Sequence, residues 1–228
     1  MPSRNIVKTY VEGGIYHIYN RGVEKRIIFQ DEQDYKVFLS YLKEYLSVTV
    51  IRIKNFTLQG STFKGMARQP KNYKSWVELL AYCLMPNHFH LMLKQIDSLS
   101  MKSFMKSIST RYSMYFNKKY KRVGPLFQGI YKAVLVMDES HLLHLTRYIH
   151  LNPAEDFLNL IDAYSSYADY LHLRKTKWVN TELILSRFDN NVGLEFKKYN
   201  SYKHFIEDSK VNSKEIISNL KIEKDDDL

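Results

Sequence analysis

The chain has 228 residues, of which 45% are apolar, so it can bury the core of one domain with an appendage or of two small domains. No stretch approaches the run of roughly 18 apolar residues that a membrane helix needs, and the N-terminus lacks the apolar segment of a secretory signal. The single cysteine, Cys83, excludes an internal disulfide. We therefore expect a cytoplasmic protein, in a reducing compartment, that does not enter a membrane.

Positive charge is concentrated in the first two thirds of the chain. Residues 1–154 hold 23 Lys and Arg against 10 Asp and Glu, whereas residues 155–228 hold 11 against 14. The chain also contains 18 tyrosines and 12 phenylalanines. Because cations bind phosphates and aromatic rings can stack on unpaired bases, this composition fits a nucleic-acid partner. A generally basic surface fits the charge alone equally well.

The predicted elements are strands mixed with helices. Strands are indicated by β-branched residues bounded by Gly, Pro and Asn, and helices by apolar residues at three- and four-residue spacing after a capping Asp or Ser. In chain order we predict a strand over 15–20, a helix beginning at Asp31, a strand over 48–58, a loop or insertion over 59–74, strands over 76–85 and 88–94, a helix from Ser98 to about Tyr120, a strand over 130–137, and a helix from Asp138 to Leu151.

This order of elements favours one fold class. A β-α-β-β-β-α-β-α succession is typical of an α+β domain with a mostly antiparallel, ferredoxin-like sheet and helices on one face. We expect that domain to span residues 1–160. Residues 161–228 show helical fragments and end in Asp225-Asp226-Asp227-Leu228, so we predict a helical C-terminal extension with a flexible acidic end.

Two histidines follow the predicted turn at Pro86-Asn87. Side chains two residues apart on a strand project from the same face, so His88 and His90 point together while Phe89 packs on the other side. Two imidazoles on one rigid face supply half of a divalent-metal site. A third ligand must come from another element. Cys83 is close in sequence, but as the only thiol it suits a small buried core residue better.

The helix from Asp138 carries a second group of candidates near its end. His144, Tyr148 and Asn152 are spaced i, i+4 and i+8, so they lie along one helix face. If that face meets the two histidines, the Asn152 carbonyl oxygen could be the third ligand and the Tyr148 phenolate a nucleophile. A helix-end tyrosine that only packs against the core is the alternative, and the spacing does not decide between the two.

Both groups belong to motifs that closely resemble the REP-associated tyrosine transposases, which are single-tyrosine HUH transposases of bacteria. The two motifs are Met85-Pro86-Asn87-His88-Phe89-His90 and Tyr148-Ile149-His150-Leu151-Asn152-Pro153. Three further stretches are similar to the family in the same order: Tyr16-His17-Ile18-Tyr19-Asn20-Arg21-Gly22, Gly124-Pro125-Leu126-Phe127-Gln128-Gly129 and Ala163-Tyr164-Ser165-Ser166-Tyr167. The tail from about residue 171 lies outside the resemblance.

The resemblance implies a function and the roles of four residues. His88 and His90 match the metal ligands, and Asn152 matches the amide that completes the site. Tyr148 matches the nucleophile. Mg²⁺ or Mn²⁺ is the implied cofactor, and single-stranded or hairpin DNA, such as REP-like inverted repeats, is the implied substrate. The expected reaction breaks and rejoins DNA through a 5′-phosphotyrosine, catalysed by residues 1–160 of a nucleoid-associated monomer or homodimer.

Basic and polar residues around these motifs are candidates for DNA contacts. They are Asn20, Arg21, Arg26, Lys118, Lys119, Arg122, Gln128, Lys132 and Arg147. Where the family usually has an arginine, after its Gln-Gly pair, this chain has Ile130. The corresponding phosphate contact is therefore either missing or supplied by Lys132. Arg147 is also a candidate for activating the Tyr148 phenol, together with the metal or a bound water.

Two other functions fit the same basic surface. A sheet-based module that binds DNA or RNA hairpins without strand transfer would not need His88, His90 and Tyr148 together. A metal-dependent phosphoesterase that uses water as its nucleophile would keep the histidines but tolerate loss of the Tyr148 hydroxyl. Three tyrosines of the preceding helix are rival nucleophiles: Tyr112, Tyr115 and Tyr120.

Overall fold

The computed structural model describes residues 10–49, 51–67, 69, 71–155, 159–189, 199 and 201–208, and most of these residues lie in strands and helices. The strands of these ranges are β1 (Ile15–Arg21), β2 (Ile53–Leu58), β3 (Ser61–Met66), β4 (Val77–Met85), β5 (His88–Gln95) and β6 (Lys132–Leu135). The α-helices are α1 (Glu32–Leu46), α2 (Ser100–Lys119), α3 (Glu139–Leu151), α4 (Tyr167–Tyr170), α5 (Glu182–Asp189) and α6 (Tyr202–Glu207). None of these helices is long and apolar enough to cross a membrane.

Four strands form the central sheet, in the order β4-β5-β1-β6. Every neighbouring pair is antiparallel. The two inner strands, β1 and β5, are paired along their whole length, from Ile15 opposite Lys94 to Arg21 opposite His88. The predicted α+β class with a ferredoxin-like antiparallel sheet is therefore confirmed.

Each face of the sheet is covered by its own set of helices. Because side chains alternate along a strand, Phe89 and Leu91 of β5 bury themselves against α1 and α2. Met92 and the opposite face of β4 pack against α3 and the C-terminal helices. We predicted helices on one face of the sheet only. Helices α1 and α2 share one face, but α3 covers the opposite face. Residues 141–150 of α3 are all buried, because helices cover the side that does not face the sheet.

Local sequence signals explain where the long helices begin. The Asp31 and Asp138 carboxylates accept hydrogen bonds from the first-turn amides of α1 and α3, so both predicted N-caps are confirmed. The predicted cap at Ser98 is wrong. Asp97 takes that role, since its Oδ1 accepts from the amides of Leu99 and Ser100 at 2.7 and 2.8 Å.

A separate two-stranded hairpin joins α1 to β4. The prediction of a loop over residues 59–74 is wrong for β3, which pairs with β2 from Leu58 opposite Ser61 to Ile53 opposite Met66. Gln59 and Gly60 make the turn with φ of 49° and 80°. Two positive φ values match the twist of a two-residue hairpin turn. Apart from Gly65, every residue of the two strands is exposed.

The predicted helical C-terminal extension is present as α4, α5 and α6. The acidic end of the chain, residues 224–228, lies outside the described residues. A boundary between two domains near residue 160 stays a prediction.

Candidate active site

The pairing of β1 with β5 gathers four aromatic side chains on the sheet face that α3 covers. Tyr19 is the register partner of His90, and His88 and His17 lie two residues away on their respective strands. The rings of His88 and His90 are 5.0 Å apart between centroids. The rings of His17 and His90 are also 5.0 Å apart and nearly parallel.

Tyr148 of α3 lies directly over this group. Its ring meets the His90 ring edge-on, with 5.4 Å between centroids and 81° between planes. It meets His17 in the same way at 6.0 Å. Only 6% of Tyr148 is exposed. The structure therefore brings the tyrosine of the second motif to the histidines of the first, although about 60 residues of sequence separate them.

His88 faces the amide of Asn152, one turn beyond Tyr148. His88 Nε2 is 3.3 Å from Asn152 Oδ1, and His88 Nδ1 is 2.6 Å from Asn87 Oδ1. Because Asn87 Oδ1 can only accept, Nδ1 carries a proton, and in the neutral ring Nε2 then presents a lone pair. Two lone-pair atoms, His88 Nε2 and Asn152 Oδ1, then face each other, an arrangement that a cation between them would satisfy.

His90 is held from behind by His17. His17 Nε2 lies 2.9 Å from His90 Nδ1, and both side chains are fully buried. Burial lowers the pKa of His17 to about 3, and burial, with His88 and His17 beside it, holds the pKa of His90 well below its usual range. Both rings are therefore neutral at physiological pH. Among the described residues, His90 Nε2 has no hydrogen-bond partner.

These atoms fit a divalent metal. His90 Nε2, His88 Nε2 and Asn152 Oδ1 are nitrogen and oxygen donors, a mixed set that can coordinate a divalent metal ion. The described residues contain no cluster of three His, Cys, Asp or Glu side chains able to hold a metal. Cys83, the alternative third ligand, is paired with His90 across the strands but belongs to the buried apolar cluster under α3.

Three of the predicted DNA-contacting residues lie at the end of β1. Arg21 Nε donates to Gln128 Oε1 at 2.5 Å, so the two side chains form one unit on the surface. Asn20 requires a correction, because its side chain is 7% exposed. Its Nδ2 donates to the Gly129 carbonyl and its Oδ1 accepts from the Arg21 amide. Through these hydrogen bonds Asn20 positions the loop that carries Gln128.

Lys132 lies beside the candidate site. It pairs with Tyr19 across β6 and β1, and its Nζ is 5.7 Å from the centre of the Tyr19 ring. Ile130, in contrast, is 76% exposed. Arg26 is half-buried on the loop after β1, 4.0 Å from Glu24. Of the alternatives that the sequence left open, the position of Lys132 favours a phosphate contact by that lysine.

Two residues of the basic run at the end of α2, Lys119 and Arg122, make contacts within the protein. Lys119 Nζ is 2.7 Å from both Asp31 Oδ2 and Asp34 Oδ1, so its predicted DNA contact is corrected to an ion pair between α2 and α1. Arg122 donates to Asn117 Oδ1 at 2.8 Å and braces the following loop. Lys118 is exposed.

Arg147 also requires a correction. Only 3% of it is exposed, and it points away from Tyr148 toward the C-terminal extension. Its guanidinium donates to the carbonyl oxygens of Phe205 and Ile206 at 2.9 and 3.3 Å, and to that of Asp208. It can therefore neither contact DNA nor activate the Tyr148 phenol. No sequence signal indicates this role, because the partners of Arg147 lie in a tail without motifs.

The rival tyrosines lie elsewhere. Tyr112 donates to the Ile28 carbonyl, and Tyr115 and Tyr120 donate to Asp34, all on the α1 and α2 side of the sheet. Tyr19, which the sequence did not single out, is the nearer rival. Its ring is 5.8 Å from that of His90. Tyr19 could have been predicted, because it lies two residues after His17 on the same strand and therefore projects from the same face of the sheet.

Comparison with known proteins identifies relatives of this arrangement. Residues 48–152 match the family model described as "Transposase IS200 like". A solved structure of a REP-associated tyrosine transposase bound to a REP hairpin shares the fold, with a TM-score of 0.52 and 11% sequence identity. The match covers 78% of this chain and 98% of the other. No curated protein matches the sequence.

Proposed function

We propose that this chain, whose residues 48–152 match the model of the IS200-like transposases, breaks and rejoins single-stranded or hairpin DNA through a covalent bond to Tyr148. A DNA-processing reaction follows from the family, and the nucleophile and the metal ligands are our assignment. The observation that carries the assignment is the contact of Tyr148 with His90, beside the facing lone pairs of His88 and Asn152. The hairpin substrate is proposed by analogy with the transposase solved on a REP hairpin.

His88, His90 and Asn152 are the proposed ligands of Mn²⁺ or Mg²⁺. When bound, such an ion supplies Lewis-acid polarisation of the scissile phosphate and offsets the charge that grows on it in the transition state. The protein side of this task is to keep both imidazoles neutral and aimed. Burial keeps the His90 ring neutral, and the hydrogen bonds to Asn87 and His17 orient the His88 and His90 rings.

Tyr148 Oη attacks phosphorus in line with the leaving oxygen. The Oη–P bond forms and the P–O3′ bond breaks, so the product is a 5′-phosphotyrosine and a free 3′-hydroxyl. Tyr148 loses its phenol proton and the 3′-oxygen gains one, so no net proton is consumed. Attack by a 3′-hydroxyl on the phosphotyrosine reverses the step, and the phosphodiester bond energy is conserved without ATP.

The surface around Tyr148 suits a negatively charged strand. Lys132 over Tyr19, with the Arg21–Gln128 pair at the end of β1, would contact phosphates on either side of the scissile bond. Arg26 and Arg122, which are near enough for their charges to repel each other, and the exposed Lys118 are proposed as further phosphate contacts. An enzyme with this substrate would act in the cytoplasm, at the nucleoid.

Covalent capture tests the proposal directly. The purified chain is incubated with labelled hairpin oligonucleotides taken from the DNA that flanks its gene, with Mn²⁺, Mg²⁺ or EDTA. We expect an adduct that survives SDS in either metal and is absent in EDTA, with the phosphate located on Tyr148 by peptide mass spectrometry. Binding without any adduct would favour a hairpin-binding module, and cleavage without an adduct would favour a phosphoesterase that uses water.

The role of His17 as a positioning residue gives a separate prediction. A metal on His90 Nε2 requires the ring proton on Nδ1, which His17 Nε2 then accepts. We expect His17→Phe, which fills the space without an acceptor, to weaken Mn²⁺ binding about 10- to 100-fold by calorimetry. His17→Gln, which keeps an acceptor, should recover part of the affinity, and saturating Mn²⁺ should restore covalent capture. Equal Mn²⁺ affinity in His17→Phe and wild type would reject this role.

A further inference from the structure

We propose that the β2–β3 hairpin is a second DNA-binding site, which holds unpaired nucleotides of the substrate by base stacking and by charge. The inference rests on the proposed function, since it takes the substrate to be DNA with single-stranded segments. The hairpin residues are not part of the reacting centre, and the family comparison assigns them no role.

The hairpin lies at the end of the sheet remote from His88. It follows the last turn of α1 and precedes Val77, where β4 begins, and β4 then runs to Met85, the register partner of His88. At about 3.3 Å per residue, the eight steps from Val77 to Met85 put the end of β4 that follows the hairpin roughly 26 Å from His88. Only DNA that continues well beyond the scissile phosphate can reach it.

The root of the hairpin is fixed to the helices. Arg52 Nη2 lies 2.6 Å from Glu44 Oε2 on α1, and Glu44 Oε1 is 2.6 Å from Arg111 Nη1 on α2. The amide of Ala67 donates to the Arg52 carbonyl at 2.9 Å, which closes the base of the two strands. The position of the hairpin relative to α1 is therefore defined, while its strands extend into solvent.

One face of the hairpin presents a pair of stacked aromatic rings. Phe56 and Phe63 are register partners, with 6.0 Å between centroids and 23° between planes. Phe56 is 40% exposed and Phe63 51%. The Phe56 ring lies over Gly65, where an added Cβ would be 2.9 Å from its Cδ2. Rings that are held in place with open outer surfaces can stack on bases at little entropic cost.

Charge identifies the partner as a polyanion. Residues 51–74 contain six Lys and Arg and no Asp or Glu. Arg52 is neutralised by Glu44, but Lys54 and Lys64 lie on the exposed strands. At the root, Lys71 and Trp76, which is 51% exposed, line an open cavity of about 370 Å³. A second copy of this chain, with its net charge of +10, would be repelled, whereas a single DNA strand offers both phosphates and flat rings.

The length of the DNA provides the test. The binding of the full chain to a labelled DNA hairpin is measured by fluorescence anisotropy. The DNA hairpin carries either two or about twenty unpaired nucleotides. The longer tail is sufficient because roughly nine nucleotides, at about 3.4 Å each, cover the distance from His88 to the β2–β3 hairpin. We expect the longer DNA to bind about 10- to 100-fold more tightly. Phe56→Ala with Phe63→Ala should remove that gain. The matched control is Ile53→Ala with Met66→Ala, a register pair on the opposite face, which should keep it.

The outcomes separate the two proposals. If the Phe56→Ala/Phe63→Ala protein, folded by circular dichroism, keeps the full length-dependent gain, the second site is rejected, while covalent capture of the short hairpin still stands. The second site is also rejected if sedimentation shows that the wild-type protein is a dimer and that the Phe56→Ala/Phe63→Ala protein is a monomer. If wild type captures no DNA covalently yet shows the length effect, the proposed reaction fails and the second site remains.

Discussion

Replacing Tyr148 by phenylalanine is expected to abolish the covalent protein–DNA adduct, by at least about a thousand-fold, because the substitution removes the attacking oxygen and nothing else. The ring would keep its edge-on contacts with His90 and His17. Metal binding and hairpin affinity should therefore stay close to wild type. The measurement is the yield of SDS-stable adduct per unit time, with Mn²⁺ affinity determined on the same preparation.

Tyr19 supplies the matched control for this experiment. It is also almost buried, at 7% exposure, and its ring is 5.8 Å from that of His90. Tyr19→Phe should retain the adduct, with at most a modest loss if its contact with Lys132 matters. Should Tyr148→Phe form the adduct normally while Tyr19→Phe does not, the nucleophile is Tyr19 and our assignment is wrong.

Replacing His90 by alanine is expected to eliminate metal-dependent behaviour altogether. His90 Nε2 is a buried nitrogen without a hydrogen-bond partner among the described residues, which makes it the proposed ligand that most needs a cation. Substitution of a residue that only hydrogen-bonds to a metal ligand typically weakens metal binding roughly 10- to 100-fold. We expect a larger loss of Mn²⁺ affinity in His90→Ala, and a loss of adduct formation with it.

Thermal unfolding measures this effect without using activity. A ligand that binds only the folded state stabilises it by about 2.7 kcal/mol at a concentration 100 times its Kd, so wild-type Tm should rise with Mn²⁺. The His90→Ala protein should show no such rise, whatever its own Tm. His172→Ala, at an exposed histidine, should behave as wild type. A full Mn²⁺-dependent rise in His90→Ala would show that the ion is held elsewhere.

Features that depend on neighbouring residues were predictable from the sequence. The caps at Asp31 and Asp138 follow from hydrogen bonds within one helical turn, and the common orientation of His88 and His90 follows from the two-residue period of a strand. The prediction missed β3 because Gln59, at the first position of the Gln59-Gly60 turn, has a positive φ that is usually adopted there by Asn or Asp.

Features that depend on distant partners were not predictable. His17 and His90 are 73 positions apart in sequence, and only the register of β1 with β5 makes one the support of the other. Arg147 and Lys119 looked like free cations because their partners are backbone carbonyls of the tail and carboxylates of another helix. A basic residue next to a motif thus indicates a phosphate contact only when the fold leaves its charge unpaired.

The Arg147 guanidinium connects α3, which carries Tyr148, to the C-terminal segment at residues 205–208. A buried arginine that loses its acceptors is costly, so the carbonyls at 205–208 cannot be withdrawn without disturbing the residue that precedes Tyr148. Engineered fusions or deletions that begin near residue 205 would consequently be felt at the phenol, even though that segment touches neither histidine of the ligand pair. A shortened version of this protein should therefore keep the chain at least through residue 208.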